Sequence, residues 1–288
     1  MTQQHPQGSA YQGATVALTT HHGKEQALRR LFRLGLGAAL QVCDADTDVL
    51  GTFSGEIERP AGAIDTCRRK AELGLAATGL AIGVASEGSF GPHPALPLVP
   101  VGQECLVWID RTHQLEVIEQ RLEWTTNYSQ LQLAADQDPD AWLQRVGFPS
   151  HGIIARPLNR PNGPLFKGLR RSSDLHEALR LCRQADPDGS VWLETDMRAH
   201  CNPTRMRSIR HLGLALVRRL RSRCPECQAP GWGLVERQSG LPCAACGTPT
   251  PLTRLEIWGC PCCSARREQP RSDGQRRADP GECPWCNP

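Results

Sequence analysis

The chain has 288 residues, 39% of them hydrophobic, with 33 Lys and Arg against 30 Asp and Glu and a formal net charge of +3. That length holds one substantial domain plus a small one, and no run approaches the ~20 apolar residues of a membrane span. No N-terminal stretch combines a charged start, an apolar run and a small-residue cleavage site, so a reducing, cytoplasmic setting is expected.

Residues 1–13 are polar and rich in Gly and Gln, and are expected to fray. Residues 14–20 read as a buried strand, and His21-His22-Gly23 leads into a helix opening at Lys24 with Ala27, Leu28, Leu31 and Leu34 on its buried face. A second helix is predicted over 61–78, running into an apolar strand at 80–85. The glycines and prolines of 86–94 then predict a loop. Strands follow at 105–110 and 115–124, a helix at 139–146, a strand at 151–156 and helical spacing at 175–182. This alternation predicts an α/β domain over 14–222, layered around one central mixed sheet. Residues 191–200 alternate as a strand would, placing Glu194, Asp196, Arg198 and His200 on one face. Asn202 as N-cap and Pro203 at the first helical position open the last helix. Met206, Ile209, Gly213, Leu216, Val217 and Leu220 form its buried stripe, and Arg207, Arg210, Arg218 and Arg221 line another face.

Four ionisable groups on one strand face, followed by a helix N-terminus with Arg205 in its first turn, form a candidate site for an anionic ligand. The competing reading is a solvated edge strand with mutual salt bridges. Glu87, at the carboxyl end of a buried strand and beside Gly88, is the second candidate, because open α/β sheets place reacting groups there. Glu56 and Glu58 could add oxygen ligands for Mg²⁺. His93, between two prolines, reads as a loop residue.

Four close cysteine pairs occupy the C-terminal segment: Cys224/Cys227, Cys243/Cys246, Cys260/Cys263 and Cys283/Cys286. A Cys-x-x-Cys turn supplies two thiolates to a tetrahedral Zn²⁺ from one knuckle. Fifteen residues lie between the first two pairs and nineteen between the last two, which suits a hairpin with a knuckle at each end. The expectation is two structural zinc ions in tandem ribbons, 223–251 and 252–288. The first pair would then share an ion with the second and the third with the fourth, in preference to an interleaved cross-brace. Cys262 could replace Cys260 or Cys263. The single cysteines Cys43, Cys67, Cys105, Cys182 and Cys201 default to buried thiols. The tail from Cys224 onward has seven arginines and seven acids, and each four-thiolate site adds about two negative charges. A nucleic-acid role for the ribbons is therefore not favoured, even though residues 167–223 carry thirteen basic and six acidic residues.

The strand, turn with Lys24 and helix, followed by Asp65-Thr-Cys-Arg-Arg-Lys-Ala71 and Ala85-Ser-Glu-Gly88, resemble the inosine/xanthosine triphosphate pyrophosphatases and Maf-like proteins over residues 14–90. That family shows a Thr-x-Asn-x-x-Lys phosphate turn, a Glu-Asn-Ala-x-x-Lys-Ala helix motif and an acidic Ala-x-(Asp/Glu) segment. The resemblance implies a phosphate contact at Lys24, a helix lysine at Lys70 behind an acidic start at Asp65, and a metal-binding or basic carboxylate at Glu87. His21 or His22 replaces the turn Asn, Asp65-Thr66 replaces Glu-Asn, and Arg198-Ala-His200 only loosely echoes the late Ser-His-Arg motif.

Nearly the whole chain is similar to an uncharacterised bacterial domain-of-unknown-function family. The resemblance rests on Ala-Ser-Glu-Gly-Ser-Phe-Gly-Pro-His-Pro and Glu-Thr-Asp-Met-Arg-Ala-His-x-Asn-Pro-Thr-Arg-Met ahead of a cysteine-paired tail. The expected function is Mg²⁺-dependent hydrolysis of a phosphoanhydride in a nucleotide or similar phosphorylated metabolite. Glu87, Asp196 and His200 would be catalytic, and Lys24, Lys70, Arg198, Asn202 and Arg205 would bind substrate. The alternative is a zinc-ribbon module that recognises RNA or a partner protein.

Overall fold

The computed structural model describes residues 9–43, 62–93, 96–160 and 162–288. Val16, Ala17 and Leu18 are fully buried, and the strand that carries them, β1 (Thr15–Thr19), lies inside a five-stranded sheet. The order is β2 (Ala39–Cys43), β1, β3 (Ile82–His93), β4 (Leu96–Asp110) and β5 (Leu115–Glu123). β1 is parallel to both neighbours, whereas β3, β4 and β5 run antiparallel. The sheet is therefore mixed, as expected.

Helix α1 (Glu25–Leu36) connects β1 to β2, and α2 (Ala63–Thr78) precedes β3. α1 buries Leu28 and Phe32 with Val84, Trp108 and Leu216 on one face of the sheet. Cys67 and Ala71 of α2 pack with Ala85, Cys105 and Val107 on the other. With the helices on opposite faces, the chain adds β2 on one side of β1 and β3 on the other, and such a topological switch point is where open α/β sheets leave a crevice beyond the carboxyl end of the strand. On α1 the buried positions are Ala27, Leu28, Phe32 and Leu36. Leu34 is 66% exposed, which corrects its assignment to the buried face.

The expected loop at 86–94 is instead strand as far as His93. Ser86 pairs with Leu106, Gly88 with Glu104 and Pro92 with Pro100. The prolines oppose each other near the end of the ladder, where the missing donors are least costly. Neither Gly88 nor Gly91 adopts a left-handed φ.

A second sheet also corrects the one-sheet expectation. It is antiparallel, in the order β6 (Gln130–Leu133), β9 (Val191–Thr195), β7 (Ile153–Pro157) and β8 (Phe166–Leu169). α3 (Asp140–Val146) and α4 (Ser172–Ala185) complete its own core of Trp142, Ile153, Leu175 and Leu193 among others. α5 (Pro203–Arg221) starts as the sequence dictates, with the Asn202 side chain accepting from the Arg205 amide at 3.0 Å. In the tail, β10 (Gly233–Ser239), β11 (Thr253–Gly259) and β12 (Arg266–Pro270) make a third, antiparallel sheet.

Arg219 joins the tail to the first sheet, donating to the Gly231 and Ile118 carbonyls and to Glu119 at 3.2, 3.0 and 3.1 Å. No helix among the described residues is long and apolar enough to cross a membrane.

Candidate functional site

β1 stops at Thr19, which pairs with Ala85 of β3, so Ser86 and Glu87 lie just beyond its carboxyl end. The next segment brings Lys24 into that opening, where its Nζ donates to the Ser86 carbonyl at 2.5 Å. Lys24 is only 5% exposed. Burial, reinforced by the charge of Arg205, lowers its pKa to about 8, against the raising influence of Glu87 and Glu104. Adjacent strand residues point to opposite faces, so Glu87, paired with Cys105, faces α2. There Lys70 forms an ion pair with it at 2.6 Å.

Glu104, paired with Gly88, points to the other face and meets Arg205 of α5 at 2.5 Å. Both members of this pair are buried. A Cβ on Gly88 would lie 2.6 Å from Glu104 and 2.7 Å from Arg205, so glycine here is a requirement of the close approach. Arg205 also donates to the Met197 carbonyl and lies over the Phe90 ring at 5.2 Å. Glu104 gave no signal in the sequence, because a lone acid ahead of an apolar run resembles a strand's exposed edge.

The expected four-group strand face does not exist. β9 ends at Thr195, Asp196 turns away to bond the Gly152 carbonyl, and Ala199–Cys201 forms a short 3-10 turn. Period-2 alternation therefore has no meaning beyond Thr195. Glu194 is half-buried and accepts from Trp192 Nε1, and His200 is exposed.

Asp196 is fully buried and accepts from the Gly168 amide at 3.0 Å and from Arg198, whose Nη2 approaches to 2.6 Å. Burial raises its pKa, but the Arg198 hydrogen bond and charge outweigh this and hold it below the ordinary value. His200 stacks on His22 with ring centroids 5.3 Å apart. Burial and then the neighbouring cations, Lys24 first, lower His22 to about 3; partial desolvation of the otherwise exposed His200, and then the Arg198 charge, lower that ring as well. Both imidazoles are thus neutral near pH 7.

Lys24, Lys70, Glu87 and Arg205 accordingly gather around the carboxyl end of β1 and the middle of β3, with Glu104 as an added member. Arg198, His200 and Asn202 stand on the adjoining segment, and Asn202 serves as a helix cap. Asp65 instead pairs with Arg68 on the exposed side of α2. Glu56 and Glu58 lie outside the described residues. His93 is a strand residue stacked on Trp124 at 4.7 Å.

Among the described residues, two groups of His, Cys, Asp or Glu could hold a metal ion, and both consist of four cysteines. Glu87 and Asp196 do not form such a group. Cys224 and Cys227 join Cys260 and Cys263, while Cys243 and Cys246 join Cys283 and Cys286. The pairs therefore interleave, which corrects the sequential assignment. Each site takes one knuckle from 223–251 and one from 252–288.

The reason lies in the sheet. Gly233 pairs with Gly259, bringing the knuckle before β10 beside the one after β11, while Cys243 bridges to Ala278 near the last pair. The Sγ separations are 3.7 Å for Cys224–Cys263, 3.5 Å for Cys227–Cys260, 3.9 Å for Cys243–Cys286 and 3.7 Å for Cys246–Cys283. Four thiolates about 2.3 Å from a tetrahedral Zn²⁺ stand about 3.8 Å apart, so both groups fit two zinc ions. A disulfide would need about 2.05 Å. Cys262 is outside both sets, exposed and near the His113 carbonyl. The five single cysteines are all buried.

Residues 70–288 match the family described as a domain of unknown function (DUF6671). The chain belongs to that family. No curated protein and no solved structure matches it. The matched span takes in Lys70, Glu87, Glu104, Asp196, Arg205 and all eight paired cysteines, whereas β1 and Lys24 precede it.

Proposed function

We propose that the chain hydrolyses a phosphorylated small molecule, a nucleotide or a related metabolite, in the crevice beyond the carboxyl end of β1, alongside β3. The observation that carries this reading is the meeting of Lys24 and the Lys70–Glu87 pair at the switch point of the sheet, where open α/β sheets receive ligands. Lys24 and Lys70 are the positions that the pyrophosphatase resemblance assigns to phosphate contact and the helix lysine. Their charges would neutralise phosphate oxygens, and Glu87 would take a proton from the attacking water. Arg198, held by Asp196, and the neutral His200 would orient the substrate. Asn202 and the buried Arg205 would fix the segment that presents them.

The described acids form no Mg²⁺ cage of their own, so no step is assigned to that ion. The assay nevertheless includes it, because Mg²⁺ commonly arrives with substrate phosphates. In the tail, two structural zinc ions are the expected occupants of the cysteine sets.

The experiment is phosphate or pyrophosphate release from a panel of ordinary and deaminated nucleoside triphosphates, with Mg²⁺ or Mn²⁺. Glu87→Gln should lose at least ~100-fold in rate while still binding substrate. If no nucleotide is hydrolysed and none shifts the melting temperature, the nucleotide reading fails and a binding module built on the metal tail replaces it.

A further inference from the structure

α1 and α5 pack closely where Gly35 meets Val217 and Gly213 meets Leu28. Beside that contact runs an open groove of about 710 Å³. Its apolar lining comes from Leu31, Leu34, Leu214 and Val217, and Leu34 at 66% exposure is among the most exposed large apolar side chains of the described residues. Its rim is basic, with Arg30 on α1 and Arg210, Arg218 and Arg221 on α5.

All four arginines are exposed, and none forms an ion pair within the described residues. α5 has six arginines and no acid. Arg205 and Arg219 are held by Glu104 and Glu119, leaving the groove-side guanidinium groups without a counter-charge among the described residues. Positions 210, 214, 217, 218 and 221 share one helical face, and the eleven residue steps from 210 to 221 rise about 16 Å, or three turns of a helix laid alongside.

We propose that this groove docks an amphipathic helix of a partner protein, with leucine-type side chains seated between α1 and α5 and acidic side chains on its flanks. The arginine rim selects the acidic flanks and the apolar lining selects a side-chain ridge. A nucleic acid would use the rim but has nothing to place over Leu34, and the lining offers no aromatic ring for base stacking.

The test is fluorescence anisotropy of the whole protein with three labelled synthetic peptides. One is a helix with leucines at i, i+3, i+4 and i+7 between glutamates, the second a scramble of it, and the third the same helix with lysines for glutamates. Only the first should bind. Its affinity should fall about 10-fold in Arg210→Glu/Arg218→Glu and again in Leu34→Glu, with the melting temperature of each variant unchanged. The proposal is overturned if the scramble binds equally, if Leu34→Glu has no effect, or if duplex RNA binds more tightly with no dependence on Leu34. Self-association that Leu34→Glu abolishes would likewise overturn it, by giving the groove to a second copy.

Discussion

The interleaved thiol arrangement can be separated from the sequential one by counting ions. Two variants each lose four cysteines. In the first, Cys224, Cys227, Cys260 and Cys263 become serine; in the second, Cys224, Cys227, Cys243 and Cys246 do. The geometry assigns the first four to one site and divides the second four between both. The first variant should therefore retain one zinc per chain and the second none, whereas sequential pairing demands the reverse. A complete tetrathiolate site binds with about 10–16 kcal/mol near pH 7, a margin that survives gel filtration, and a site reduced to two thiolates has lost half its donors. The Sγ separations of 3.5–3.9 Å leave little adjustment for either group to close on the ion. Elemental analysis after desalting gives the ratio, and Co²⁺ substitution reports tetrahedral sulfur coordination in the retained site. Both variants carry the same number of substitutions, so general destabilisation cannot produce opposite counts. One ion in the second variant with none in the first would refute the cross-braced reading.

Two further outcomes concern the α/β domain. Arg205→Met should cost about 3–5 kcal/mol in urea unfolding, because Glu104 is left buried and uncompensated, and Glu104→Leu added to it should restore much of the loss. A cost below about 1 kcal/mol would mean that the pair stabilises little. The second outcome follows from Lys24, whose pKa falls from the ordinary 10.5 to about 8 in the fold. Between those values the unfolded chain holds more protons, so folding stability should rise with pH across that window by up to roughly 3 kcal/mol. The rise should vanish in Lys24→Met, as read from urea midpoints at the two ends of the window. Phosphate binding should move the other way, weakening as Lys24 loses its charge above pH 8, and an unchanged affinity would remove Lys24 from the contact.

Much of the fold was legible wherever a local rule governs. Asn202 and Pro203 open α5 because a side-chain acceptor and a fixed φ act within one turn. The paired cysteines were legible because ligand spacing is a short-range property. The rules failed where long-range pairing overrode them. Gly88, Gly91 and Pro92 spell a loop, yet β4 supplies a partner along that whole stretch. Alternation across 191–200 spells one long strand, yet the bond from the Asp196 amide to Gly152 ends the ladder after Thr195. Leu34 fits a helical stripe, yet Phe32 and Leu36 point at the sheet instead.

The candidate site divides along the same line. Lys24, Lys70 and Glu87 could be named from motif resemblance, because each belongs to a short stretch of sequence that can be matched without knowing what it packs against. Glu104 could not, since its partner Arg205 is 101 residues away and the two meet only because Gly88 leaves room between them. Asp196 was placed on a strand face that ends before it, at Thr195, and its carboxylate accepts from the Gly168 amide and from Arg198. The cysteine pairing failed for a related cause. The intervals of fifteen and nineteen residues favour neighbours in sequence, whereas the β10–β11 pairing brings the first knuckle to the third. In each case the sequence carries the donors and charges, and the sheet register decides which of them meet.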